Sequence, residues 1–307
     1  MPMPLVVGTD STYPSPIEAW MTGRIPSLEE VTIKWDEFAP IFQKYQQKQS
    51  RALAFTMACT MEFEKATVGI LEVGGGAGGA AKAILSAGLV APDVPFVHSD
   101  LSPKMVELAQ EDLNQLARPM TQSLVANGQA LPFEDAKFDR VFGVLCLQLT
   151  PDPDAMLRDS LRVLTPGGYA GWAVWGARDK SPMFDLRDRV MSEVVGPPSG
   201  GGAVTQGSQP VRTNFHLNEE DKLRTMGLAA GYRDVVFYRQ PMIMECWSGA
   251  SYAHFIINAQ PETRRTVEGL SPEKQQAFVQ ALTTYSQELL DSGIPIGMEA
   301  LVVLMRK

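Results

Sequence analysis

The stretch GILEVGGGAGG, residues 69–79, decides the fold of this chain. Residues 69–73 are short and apolar, which is typical of a buried parallel strand. The glycines form a loop, and residues 80–87 are strong helix formers. A strand, a glycine loop and a helix in this order open a nucleotide-type βαβ unit.

The alternation of strand and helix continues towards the carboxyl end of the chain. We predict further strands at 94–99, 124–126, 138–149, 169–175, 235–238 and 300–305. We predict helices at 102–116, 152–163, 182–195, 218–231, 248–258 and 271–290, with Ser102-Pro103 and Asn218 at two of their starts. The fold class is therefore α/β, a Rossmann-like doubly wound sheet that is mostly parallel, with right-handed crossovers.

The segment before the glycine loop has two parts. Residues 1–28 are rich in Pro, Ser and Thr, so we predict a flexible arm. Residues 29–60 are predicted to be helical, with a kink at Pro40. Four aromatic residues lie on one helical stripe: Trp35, Phe38, Phe42 and Tyr45. The stripe indicates either plain core packing or a lid over a ligand pocket.

The composition of the chain limits which kinds of partner it can bind. The 307 residues carry 27 Lys+Arg and 35 Asp+Glu, a net charge of −8, which argues against nucleic acid as the main partner. No apolar run is long enough for a bilayer span, so we expect no membrane contact. The 3 cysteines and 3 histidines show neither a disulfide framework nor a metal-ligand spacing. We expect a cytoplasmic protein without a metal, as a monomer or homodimer.

The glycine loop fits two templates. Gly74-x-Gly76-x-x-Gly79 matches the dinucleotide fingerprint, which on its own is a weak signal. The second template has an acidic residue two positions before the first of several alternating glycines. Glu72 occupies that position. Asp100, at the end of the second strand, suits both templates because a carboxylate can accept two ribose hydroxyls.

Three later stretches separate the templates: VANGQALPF at 125–133, FDRV at 138–141 and LRVLTPGG at 161–168. With the glycine loop, they resemble the class I S-adenosylmethionine-dependent methyltransferases, in particular the small-molecule enzymes related to the ubiquinone and menaquinone C-methyltransferases. The resemblance implies a seven-stranded sheet with an antiparallel last strand. It divides residues 29–307 into a helical lid (29–60), a cofactor-binding core (69–176) and substrate-side helices with the last two strands (177–307).

The resemblance also implies which residues bind the cofactor, S-adenosyl-L-methionine. Glu72 and the glycines would hold its methionine part, Asp100 its ribose, and Leu101 and Met105 its adenine. Asn127 stands where the family most often has Asp, and its side-chain oxygen can still accept the adenine amino group. The predicted set is Glu72, Gly74, Gly75, Gly76, Gly78, Asp100, Leu101, Met105, Asn127, Gly128 and Leu145.

The substrate side carries weaker signals. Gln148 falls where relatives often carry His, so we predict a hydrogen-bonding orienter of the substrate rather than a general base. Further candidates for the substrate pocket are Trp35, Phe42, Tyr45, Trp175 and His216. The predicted activity is methyl transfer to a small organic molecule on O, N or C. Alternatives are a protein side-chain methyltransferase, a non-catalytic cofactor-binding protein and an NAD-dependent oxidoreductase.

Overall fold

The computed structural model describes residues 25–196 and 213–307, so almost all of the predicted arm over residues 1–28 lies outside the described residues. In the described part, seven strands form one sheet: β1 (Ile70–Val73), β2 (Phe96–Asp100), β3 (Thr121–Val125), β4 (Phe138–Val144), β5 (Leu164–Trp175), β6 (Asp234–Ile243) and β7 (Gly297–Arg306). The α-helices of the same part are α1 (Leu28–Ile41), α2 (Gln47–Thr60), α3 (Gly79–Ser86), α4 (Pro103–Asn114), α5 (Pro153–Val163), α6 (Pro182–Val190), α7 (Glu220–Ala230), α8 (Gly249–Ala259), α9 (Pro261–Glu268) and α10 (Pro272–Asp291).

The sheet has the order β3-β2-β1-β4-β5-β7-β6. The first five of these strands run parallel to their neighbours, whereas β7 is antiparallel to both β5 and β6. The expected seven-stranded sheet with an antiparallel last strand is therefore confirmed. The chain leaves β1 in one direction and β4 in the other, and such a switch point opens a crevice at the carboxyl ends of the strands.

Helices cover both faces of the sheet, because successive residues of a buried strand point to opposite sides. Ile70 packs into a core with α2, α3 and the carboxyl-terminal helices, and Leu71 packs into a second core with α5 and α7. On β5, the fully buried Trp172 joins the second core and Ala173 the first. The sheet is thus the middle layer of three, with helices packed on each of its faces.

The helix starts follow local capping chemistry where the sequence supplies it. The Ser102 hydroxyl accepts the backbone N–H of Met105, with Pro103 at the first helical position, as expected. The predicted cap at Asn218 is wrong, because α7 begins at Glu220 and Glu219 occupies the cap position without a side-chain hydrogen bond.

Other boundaries differ because pairing partners extend or shorten an element. β6 and β7 are each 10 residues long and pair along their whole length, beyond the predicted 235–238 and 300–305. β4 ends at Val144 rather than 149. The short helix Pro261–Glu268 was not predicted at all.

The segment before β1 folds as two α-helices joined by a π-helical turn, Phe42–Gln46. Ser27 and Glu30 form a capping box at its start. Pro40 lies in the last turn of α1, and the π turn follows directly, so the predicted irregularity is present there. None of the helices in residues 25–196 and 213–307 has the length and apolarity needed to cross a bilayer.

Candidate functional site

The glycine loop between β1 and α3 has the backbone conformation that alternating glycines permit. Gly74, Gly76 and Gly78 have φ angles of 64°, 57° and 78°, in the left-handed region that other residues rarely adopt. A Cβ atom on Gly74 would lie 2.6 Å from Cys146 Cβ. One on Gly76 would lie 2.8 Å from Phe42 Cε1. The backbone angle and close neighbours both require glycine at these two positions.

Asp100 stands at the end of β2 and holds the loop in place. Its Oδ2 atom accepts the N–H of Gly76 at 2.9 Å, and its Oδ1 atom accepts the N–H of Ser102 at 2.9 Å. Burial raises the pKa of Asp100, and the backbone N–H groups of Ser102, Gly76 and Leu101 oppose that shift. Each carboxylate oxygen keeps a lone pair with which it can accept a further donor.

Glu72 stands at the end of the neighbouring strand β1 and is 1% exposed. Its Oε2 atom is buried and has no hydrogen-bond partner among the described residues. Burial, and next the charge of Asp100, hold the pKa of Glu72 well above its ordinary value. A buried carboxyl oxygen without a partner favours a positively charged or hydrogen-bond-donating ligand beside it.

Both acids open onto one cavity of about 190 Å³. Ten of the eleven predicted cofactor-binding residues line it: Glu72, Gly74, Gly75, Gly76, Asp100, Leu101, Met105, Asn127, Gly128 and Leu145. Gly78 is the exception, because it caps α3 and packs against Ala109. The structure therefore brings the predicted set together, and contact with a cofactor stays a prediction for each member.

Asn127 lies in a tight turn after β3. Its Oδ1 atom accepts the backbone N–H of Gln129 at 3.0 Å. The same oxygen accepts Gln129 Nε2 at 3.4 Å, so a ligand's amino group would have to replace this longer bond. Gly128 is closely packed, since a Cβ atom there would lie 2.6 Å from Met156 Cε and 2.8 Å from Val73 Cγ1.

The turn after β4 contains a strained residue. Leu145, which lines the cavity, has a φ of 59°, an uncommon value for a residue with a side chain. Its N–H donates to the carbonyl of Ala173 at 2.8 Å. Its own carbonyl accepts from Gln148 Nε2 at 3.0 Å. These two bonds hold Leu145 in its left-handed conformation.

Gln148 therefore has a different position from the one predicted. Its side chain is fully buried and is not part of the cavity wall, so it does not face a substrate in this structure. The reason is local: the carbonyl of the left-handed Leu145 needs a donor, and the Gln148 amide turns inward to supply it.

Aromatic side chains from two distant elements form part of the wall. Trp35 of α1 and Phe42 of the π turn lie edge to face with ring centroids 6.3 Å apart. Both side chains line the cavity. Phe38 joins them at 5.7 Å from Trp35. Trp175, at the end of β5, also lines the cavity, and its ring centroid lies 4.7 Å from that of Phe184.

Two predicted substrate residues lie outside the wall. The ring of Tyr45 faces His254 of α8 at 6.3 Å, because the π turn rotates it away from the stripe. His216 bonds through Nε2 to the backbone carbonyl of Gln148 at 3.0 Å. Neither side chain lines the cavity in this structure, and their contact with a substrate stays a prediction.

Several wall residues were missed by sequence reasoning. Gln46, Gln49 and Ser50 line the cavity from the π turn and α2, in helical register with Trp35 and Phe42. Their signal was present, since the same period of three and four continues past the aromatic residues. Met298 arrives from β7, and no local pattern could have indicated it.

The charged side chains that line the cavity, counted over the described residues, are Glu72 and Asp100, so the wall is acidic. Within the same residues no cluster of three or more His, Cys, Asp or Glu could hold a metal ion. An acidic wall complements a cationic ligand.

Part of this chain is similar to proteins of known class. Residues 71–171 match the family model described as a methyltransferase domain. The chain is 28% identical over 155 residues to the ubiquinone/menaquinone biosynthesis C-methyltransferase of Pasteurella multocida, which covers 49% of this chain and 57% of that protein. It is 38% identical over 79 residues to the demethylmenaquinone methyltransferase of Lactococcus lactis, covering 26% of this chain and 31% of that protein. The chain thus spans about a third to somewhat over half of the length of these curated relatives.

Solved structures agree on the fold. The [4+2]-cyclase SpnF superposes with a TM-score of 0.54 at 17% identity and covers 92% of this chain and 97% of its own. The YcgJ protein of Bacillus subtilis superposes with a TM-score of 0.50 at 19% identity, covering 83% and 97%. At these identities the likeness concerns the architecture alone.

The strand order, the glycine loop with its two acids and the domain match identify residues 71–171 as a methyltransferase domain of the class I S-adenosylmethionine-dependent type, whose cofactor is S-adenosyl-L-methionine. Within that class, the matched region is similar to the ubiquinone and menaquinone C-methyltransferases.

Proposed function

We propose that this chain transfers the methyl group of S-adenosylmethionine to a small organic molecule, on an oxygen, nitrogen or carbon atom. The observation that carries the proposal is the pair Glu72 and Asp100. They end two neighbouring parallel strands, and both open onto the cavity under the glycine loop. The cofactor carries an ammonium and a sulfonium group, so two acids and no base in the described wall suit its charge.

The residues present fit this cofactor. The partnerless Glu72 Oε2 atom suits an ammonium donor beside it. Asp100 keeps lone pairs for ribose hydroxyls, and Asn127 can accept from adenine where the adenine amino group replaces Gln129 Nε2. When bound, the cofactor supplies an electrophilic methyl group.

The protein's part in the reaction is positioning. The glycine loop and the two acids orient the donor, while Trp35, Phe42 and Trp175 exclude water from the cavity. No residue is assigned as a general base, since the reaction needs one only where the accepting atom must lose a proton.

The enclosed shape supports a small acceptor. Residues of α1 and α2, together with Trp175 and Met298, border the cavity along with the glycine loop. A protein side-chain methyltransferase needs an open groove for a polypeptide, and these elements narrow that route.

The test is a screen of metabolite extracts with methyl-labelled S-adenosylmethionine, followed by mass identification of labelled products. We expect one labelled small molecule with the wild type and none with the Asp100→Ala variant. Binding of S-adenosylhomocysteine without any labelled product would favour a non-catalytic cofactor-binding protein.

A further inference from the structure

A buried histidine lies under the glycine loop. His98 is in the middle of β2, is 0% exposed, and has Glu72 of β1 and Ser123 of β3 as its neighbours in the sheet register. Its Nε2 atom is 2.9 Å from the carbonyl oxygen of Gly76, and its Nδ1 atom is 2.7 Å from Ser123 Oγ. Both ring nitrogens are therefore engaged, one of them with the loop that borders the cofactor site.

The partners determine the tautomer of the ring. A carbonyl oxygen can only accept, so Nε2 carries the proton and donates it to Gly76. Nδ1 of a neutral ring is an acceptor, and the Ser123 hydroxyl can donate to it. Burial lowers the pKa of His98 to about 4, so the ring is neutral at physiological pH.

Gly76 is thus held at both of its backbone groups. Its N–H donates to Asp100, and its carbonyl accepts from His98. The His98 ring also fills the space beside Gly75, where a Cβ atom would lie 2.5 Å from His98 Cδ2. A glycine has many accessible conformations, so a loop of glycines needs such external contacts to keep one shape.

We propose that His98 is a positioning residue that holds the glycine loop in its cofactor-binding conformation before the cofactor arrives. The proposal rests on the proposed function for the identity of the ligand, whereas the hydrogen bonds of His98 are independent of it. Without the ring, the carbonyl of Gly76 loses its donor and the loop becomes free to rearrange. Part of the binding free energy is then spent on ordering the loop, and affinity falls.

The first experiment examines the ligand-free protein. In a ¹⁵N-labelled sample the 3 histidines give few imidazole signals, and the His98 signals are those missing from the His98→Gln variant. We expect the Nε2–H tautomer of His98 to persist unchanged from about pH 5.5 to about pH 8.5, above its low pKa. A Nδ1–H tautomer, or titration within this range, overturns the proposal.

The second experiment measures the dissociation constant of S-adenosylhomocysteine by calorimetry. His98→Phe keeps a ring without hydrogen bonds, and we expect affinity to fall about tenfold or more, as for loss of one hydrogen bond to a buried group. His98→Gln offers one donor and one acceptor at similar reach, so it should restore most of the affinity. His254→Gln, an exposed histidine outside the cavity wall, is the control and should bind like the wild type.

The outcomes separate the two proposals. If the wild type fails to bind S-adenosylhomocysteine, the proposed function fails, and the tautomer result stands by itself. If the wild type binds and a folded His98→Phe variant binds equally well, the positioning role alone fails. Should His98→Phe not fold, Ser123→Ala replaces it, because Ser123 is only partly buried. The Ser123→Ala variant removes the partner of His98 Nδ1, so we expect a mixture of His98 tautomers and a several-fold weaker complex with S-adenosylhomocysteine. A wild-type tautomer together with wild-type affinity overturns the positioning role of His98.

Discussion

The carboxylate of Asp100 has two tasks, since it accepts the N–H groups of Gly76 and Ser102 and would also accept the cofactor's ribose hydroxyls. We expect Asp100→Ala to weaken binding of S-adenosylhomocysteine by about 2–4 kcal/mol, because charge-assisted bonds are lost and the hydroxyls stay poorly paired. Asp100→Asn keeps one acceptor oxygen and should lose less. Calorimetry gives both values, and unchanged affinity in a folded Asp100→Ala variant would place the ribose elsewhere.

Glu72 lowers the stability of the ligand-free protein at neutral pH, and the sign follows from its pKa. Burial raises the pKa of Glu72 in the folded state above the value of 4.5 that it has in the unfolded chain. Over the interval between the two values the folded state keeps a proton that the unfolded state has lost, so the free energy of unfolding falls as the pH rises. Glu72→Gln has no such proton to lose.

We therefore expect the ligand-free Glu72→Gln variant to melt at a higher temperature than the wild type at about pH 8, with the difference vanishing towards about pH 4.5. Thermal unfolding at a series of pH values is the measurement. Glu64→Gln, at an exposed position, is the matched control and should show no such trend. A Glu72→Gln variant less stable than the wild type at pH 8 would contradict this account. The same variant should bind the cofactor more weakly, because it lacks the charge.

At the scale of elements, the segment α1, π turn and α2 is the candidate lid. Its side chains line the cavity, and the Phe42 ring lies against Gly76. The cavity of about 190 Å³ is smaller than the roughly 300–1,000 Å³ of typical ligand pockets, so a cofactor needs this segment to yield. Pro40 and the π turn interrupt the regular hydrogen bonding of this helical segment, so the segment can bend there.

Hydrogen exchange tests the lid. We expect amides of residues 34–48 to gain protection when S-adenosylhomocysteine is added, while those of 70–73, in a fully buried strand, change little. Phe42→Ala should reduce the gain, because the ring that covers the glycine loop is lost. Equal protection of residues 34–48 with and without ligand would mean that the aromatic stripe is plain core packing.

At the scale of the whole molecule, ligand binding should stabilise the fold in a way that separates two cofactor classes. A ligand at about 100 times its dissociation constant adds about 2.7 kcal/mol to the free energy of unfolding. We expect S-adenosylhomocysteine to raise the melting temperature and NAD to leave it unchanged. A saturable shift with NAD and none with S-adenosylhomocysteine would reverse the assignment of the cofactor.

The order of strands and helices could be predicted from sequence because each element carries its own signal. An apolar run, a glycine loop and an N-cap such as Ser102 act over a few residues, so they are legible without knowledge of the neighbours. The same holds for Glu72 and Asp100, which lie at the carboxyl ends of β1 and β2. Where the local signal is weak, as at Pro261–Glu268, the element was missed.

Sequence alone thus determined the class of sheet, the loop and the two acids, since these depend on local backbone chemistry. The tertiary structure decided which side chains border the cavity. Gln148 turns inward because Leu145 needs a donor, and Met298 enters the wall because β7 pairs with β5. Tyr45 leaves the wall because a π turn rotates it. These side-chain directions follow from tertiary contacts, such as the bond from the Leu145 N–H to the Ala173 carbonyl and the pairing of β7 with β5, and only the folded molecule makes those contacts.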